Sequence, residues 1–86
     1  MGTYFERMRA GMQQVQLLLL ECWPEAEFEW GPMDNDGNYP FLVRHEGRKT
    51  LLYRFSKDSL VSVSDEPHRS KVRALLRQAV AAYQPG

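Results

Sequence analysis

Few residues in this chain are of types that do chemistry on their own. Cys22 is its single cysteine, and His45 and His68 are its two histidines. Their spacing matches none of the ligand patterns of zinc sites. Cys22 falls on the apolar face of an expected helix, where a free thiol acts as a small buried hydrophobe. His45 stands at an expected strand end in the inward register. His68 stands in the first turn of a helix, whose positive end disfavours a charged imidazole. Asp58 and Asp65 fall in or near expected loops, in positions that suit capping groups.

The stretch Asp34-Asn35-Asp36-Gly37-Asn38 resembles the opening of a calcium loop. Such a loop needs oxygen ligands at its first, third and fifth positions, glycine at the sixth and glutamate at the twelfth. Counting from Asp34 puts Tyr39 sixth and His45 twelfth. Counting from Pro32 makes Gly37 sixth, but loses the first ligand and puts Val43 twelfth. Both registers fail, and the flanks alternate as strands rather than helices. Asn, Asp and Gly also tolerate left-handed backbone and cap their own turns. Residues 31–40 therefore read as a connection between strands, polar enough to meet a partner. No glycine-rich phosphate loop or nucleophile elbow appears. The expectation is a chain that is not an enzyme, with no catalytic residues, no metal and no cofactor.

Composition narrows the class further. The 86 residues suit one domain, 1–86, with a modest core. At 43% hydrophobic and 12% aromatic, the chain is globular rather than disordered. Eleven basic and 11 acidic residues cancel, so no global charge draws it to nucleic acid or an anionic membrane. The longest apolar run, Leu17 to Leu20, is too short to span a bilayer. With a lone cysteine and no signal-like segment, the expected location is cytoplasmic. The charges are unevenly spread: Glu21 to Asp36 holds acids and no base, and His68 to Gln84 holds bases and no acid.

These residues must be positioned by a small set of elements. Apolar residues at 4, 5, 8, 12, 15, 19 and 22 make one helical face, and Pro24 stops the helix. Leu17 and Leu20 fall off that face at about 100° per residue. After Pro24 the period becomes two. Ala26, Phe28 and Trp30 form a first alternating set; Phe41, Val43 and His45 a second; Leu51, Tyr53 and Phe55 a third; Val61 and Val63 a fourth. Glu46-Gly47-Arg48 and Lys57-Asp58-Ser59 are short enough for hairpin loops. Ser64-Asp65-Glu66-Pro67 signals a helix start, and Val72, Leu75, Leu76, Ala79, Val80 and Tyr83 make its stripe. The expected fold is α+β: a four-stranded antiparallel meander with the N- and C-terminal helices packed on one face (α-β-β-β-β-α). Its expected core is Phe28, Trp30, Phe41, Val43, Tyr53, Phe55, Leu75, Leu76 and Val80.

Register then sorts the outer face. Trp30 opposite Phe41, Phe28 opposite Val43, Phe41 opposite Tyr53 and Val43 opposite Leu51 bring Glu27, Arg44 and Thr50 into one outward row. Glu29, Leu42 and Leu52 make the next. Glu27 and Arg44 form a cross-strand charge pair. Leu42 and Leu52, with Leu17 and Leu20 on the first helix, form the candidate protein-interaction set. On the last helix Arg69, Arg73 and Arg77 recur every four residues; with Arg48 and Lys49 they form a candidate phosphate-tracking row. The order helix, antiparallel sheet, helix, with bases opening the second helix, resembles that of double-stranded-RNA-binding domains. That family has three strands and a lysine-rich cluster; here a fourth strand is expected, and His68-Arg69-Ser70-Lys71 follows two acids. The leading expectation is a small non-enzymatic protein-interaction module that binds another protein or itself as a homodimer. Nucleic-acid binding through the basic row is the alternative, and a small oligomeric enzyme with an inter-subunit site is the second.

Overall fold

The computed structural model describes residues 3–83. The order is α1 (Tyr4–Cys22), β1 (Glu27–Trp30), β2 (Asn38–His45), β3 (Arg48–Ser56), α2 (Lys57–Ser62) and α3 (His68–Tyr83). The class is α+β, with three antiparallel strands in one sheet of order β1-β2-β3. The expected fourth strand is not there: residues 57–62 are helical.

The reason lies in one cap and one contact. Ser56 accepts a hydrogen bond from the Ser59 amide at 3.1 Å, and Asp58 occupies the first turn. These are helix-start features that also read as a hairpin loop. Val61 and Val63 stand two apart, as in a strand. Leu60 and Val63 stand three apart and share a helical face, and both are fully buried. A six-residue helix is not stable alone. This one is held against α1 at Gly11, where an added Cβ would lie 1.6 Å from the Leu60 carbonyl oxygen. Gly11, a mild weakness by helix propensity, is the notch that admits α2.

α1 begins with a capping box in which Thr3 and Glu6 bond each other's amides. Its buried line is Met8, Gly11, Val15, Leu18 and Leu19, with Met12 and Cys22 beside it. Tyr4 and Phe5, expected on that face, are exposed, Phe5 by 70%, because the first turn stands beyond the core. The apolar line thus starts one turn later and takes in Leu18. α3 begins later than Ser64 implies. The Arg69 and Lys71 amides donate to the carbonyls of Asp65 and Pro67, so residues 65–67 form the lead-in turn. Val72, Leu76 and Val80 are its buried line, and Leu75 is half-buried.

The β1–β2 register is as expected, with Phe28 opposite Val43 and Trp30 opposite Phe41. β2 and β3 join through Glu46 and Gly47, both with positive φ (53° and 77°). That is the backbone of a two-residue hairpin turn whose twist suits the strands. Phe41 faces Tyr53, also as expected, but a bulge follows, so Leu42 faces Leu51 and Val43 faces Thr50. Leu52 is the extra residue. The bulge turns Leu52 onto the core and puts Leu51 on the outer face. Trp30, Phe41 and Phe55 form the aromatic centre, with Trp30 4.5 Å and Phe55 6.2 Å from Phe41 between ring centroids. Phe28 is partly buried beside it, and Tyr53, expected inside, is 39% exposed at the sheet edge.

Residues 31–37 form a self-capped turn. Asp34 Oδ1 accepts from the amides of Asp36 and Asn38, both at 2.9 Å, and Gly37 takes φ 81°. Asp34 Oδ2 lies 3.4 Å from Arg54. The carboxylate that would open a calcium loop is spent on its own turn and one arginine. Among the described residues no His, Cys, Asp or Glu group converges to hold a metal ion. No described helix is long and apolar enough to cross a membrane.

Candidate interaction surface

The core lies on one side of the sheet, and among the described residues no helix belongs to the other side. Phe41 and Val43 are fully buried, so Pro40, Leu42 and Arg44, which alternate with them, point outward. Pairing then defines the outer rows. Glu27 faces Arg44 and Lys49 in the first; Glu29 faces Leu42 and Leu51 in the second. Gly31 closes a third with Pro40 and Arg54, its amide donating to Pro40 O at 2.9 Å. A Cβ at Gly31 would press to 2.8 Å from the Pro40 ring, so glycine keeps this end of the face flat.

The charges on this face are arranged by strand. β1 carries Glu27 and Glu29, β3 carries Lys49, Leu51 and Arg54, and β2 carries Pro40, Leu42 and Arg44 between them. Arg44 leans diagonally onto Glu29 at 3.2 Å, and Lys49 reaches the same carboxylate at 3.2 Å. The expected Glu27–Arg44 neighbours are thus opposite each other, but the ion pair goes to Glu29. These groups stay about half exposed, so such pairs contribute at most about 1 kcal/mol each. Leu51, 38% exposed, replaces Leu52 among the outward leucines; Leu42 keeps its expected place and is half-buried.

On α1, Leu17 is 55% exposed, off the helix's buried line, and Leu20 is half-buried. The two leucine pairs do not form one surface, since α1 and the outer sheet face lie on opposite sides of the core.

The five candidate cations are likewise divided. Lys49 belongs to the outer sheet face, and Arg48, paired with His45 at the end of the ladder, alternates to the other side. Arg73 donates to Glu21 of α1 at 3.1 Å, so the α3 row turns toward α1 rather than away from it. Arg69, one turn earlier, has its Nε buried without a partner among the described residues. Arg77 is exposed, and its charge acts on Cys22 of α1. The five do not make a continuous basic stripe.

No protein family, no curated protein and no solved structure gives a match to this chain.

The remaining chemistry-bearing residues have local partners. The Cys22 thiol donates to the Leu19 carbonyl at 3.3 Å. Burial pushes it above the usual thiol range, partly offset by a hydrogen bond from its own backbone and by Arg77. His68 Nε2 lies 2.9 Å from Ser59 Oγ and ties the start of α3 to α2. His45 packs edge-on to Trp23 and Tyr83, with ring centroids 5.9 and 6.2 Å away. These three aromatics, absent from the sequence expectations as a group, join the ends of α1, β2 and α3. Beside them Trp23, Glu25, Glu27, Arg44, His45 and Glu46 line a shallow cleft of about 200 Å³. The signal was present in single positions: Trp23 just past the first helix and Tyr83 at the end of the last stripe.

Proposed function

We propose that this chain is a small non-enzymatic protein-interaction module whose working surface is the outer face of the sheet. The observation that carries this reading is the contrast across the sheet: one side closes a core, and the other presents Leu42 and Leu51 among charged side chains. Apolar centres with charged rims are how protein surfaces combine affinity with orientation. Leu17 and Leu20 offer a second, smaller contact on α1. The nucleic-acid reading has less to support it, because Arg73 and Lys49 already hold carboxylates and the cations are divided between surfaces.

The reading is tested by placing a photo-crosslinking side chain at position 51, 17 or 71 in cells. Protein adducts from 51, with few from the exposed control position 71, support it. Adducts with nucleic acid from 71 move the choice to the alternative. Equal yields from all three positions, or none from 51, overturn the proposal.

A further inference from the structure

Building on the outer sheet face as an interaction surface, we infer that its partner is a second copy of this chain, stacked face to face about a twofold axis parallel to β2. The argument is charge complementarity. Across the face, β1 is acidic through Glu27 and Glu29, β2 is apolar through Pro40 and Leu42 with Arg44 at one end, and β3 is basic through Lys49 and Arg54. The pairs that Glu29 makes with Arg44 and Lys49, and Asp34 with Arg54, are solvent-accessible and weak enough to exchange partners. A twofold axis along the central strand lays β1 of each copy over β3 of the other. Glu27 and Glu29 then lie over the partner strand that carries Lys49, twice over, and Leu42 meets its own copy on the axis. A twofold axis across the strands instead sets Glu29 over Glu29, which charge disfavours. Arg44 does not oppose its copy, because the contact with Glu29 draws it sideways off the axis. Two sheets stacked this way form a sandwich with strands nearly aligned, an ordinary packing for twisted sheets.

Edge pairing is the competing way to join two such sheets. β3 discourages it with the bulge at Leu52 and the cations Lys49 and Arg54 along a free edge. The face has no such guard. It is small, however: three strands at about 4.8 Å spacing give far less than the ~800 Å² per partner of a standard interface. The dimer is therefore weak and populated only at high concentration.

The test uses two charge-reversed variants of the whole chain: E27K/E29K, with both outer strands basic, and K49E/R54E, with both acidic. Sedimentation from micromolar to millimolar concentration should show a weak dimer for the unmodified chain and monomers for each variant alone. An equimolar mixture should associate again, at least as tightly as the unmodified chain, because basic then faces acidic on both sides. Restored association also shows that both variants are folded. A dimer that survives both reversals but is lost in L17E places self-association on α1 and overturns the inference. So does a mixture that stays monomeric while each variant keeps its native circular dichroism. An unmodified chain that is monomeric throughout, yet crosslinks to another protein from position 51, overturns the self-partner and leaves the interaction module standing.

Discussion

Leu42 lies between Phe41 and Val43 on the same strand, yet its neighbours are sealed in the core while it remains on an open face. The same contrast runs through the whole sheet. Inward, Trp30, Phe41 and Phe55 share one core with Val15, Leu19, Leu60 and Leu76 from three helices. Outward, leucines stand among ion pairs in water. A side chain inside is held by neighbours on every side, and its removal leaves a cavity. A side chain outside has only its own strand neighbours, so it can be exchanged with little effect on folding. Stability and recognition have been assigned to opposite faces of three strands.

The sharpest break of this contrast is at the helix notch. Gly11→Val drives a branched side chain into the Leu60 backbone, which cannot swing aside as a side chain could. The expected loss is about 3 kcal/mol or more, read as a fall of at least about 10 °C in thermal midpoint. A midpoint unchanged in G11V means that α2 does not sit against α1 as described.

Next comes a matched pair of leucines. Leu60→Ala, at a fully buried site, should cost about 3 kcal/mol in urea unfolding. Leu51→Ala, on the outer face, should cost less than about 0.5 kcal/mol. Equal losses at both sites erase the difference between the faces.

A smaller effect is expected where α2 begins. Ser56→Ala removes the acceptor of the Ser59 amide and should lower stability by about 1 kcal/mol. Ser56→Asp restores an acceptor and should recover most of that loss. If alanine and aspartate behave alike, the cap does not determine why this segment is helical.

Least in size is the thiol. Burial raises the folded pKa of Cys22 above its value in the unfolded chain. Its protonated form therefore favours folding below the unfolded pKa, and that contribution fades as pH rises through the folded one. Alkylation followed against pH should show an inflection for the folded chain above that of the chain in denaturant. Coincident inflections remove Cys22 from the closed side.

Much of this organisation follows from local pattern. Period-two alternation around Phe28, Phe41 and Phe55 located three strands, and both long helices are visible in their apolar stripes. The pairing of Trp30 with Phe41 and of Phe41 with Tyr53 needed only the count of residues between them. The turn at Asp34 was legible because Asp, Asn and Gly serve such turns through their own side chains. What the sequence could not decide was set by contacts distant along the chain. Residues 57–62 carry valines that suit a strand and a cap that suits a helix; the approach of α1 at Gly11 and the burial of Leu60 select the helix. Leu51 and Leu52 are chemically identical, and a one-residue bulge exchanges their faces, because alternation has no memory once a strand slips. Arg73 reads as a surface cation from its spacing alone. Only the crossing of α3 over the end of α1 brings Glu21 to it, since electrostatic partners are chosen by distance in space rather than along the chain.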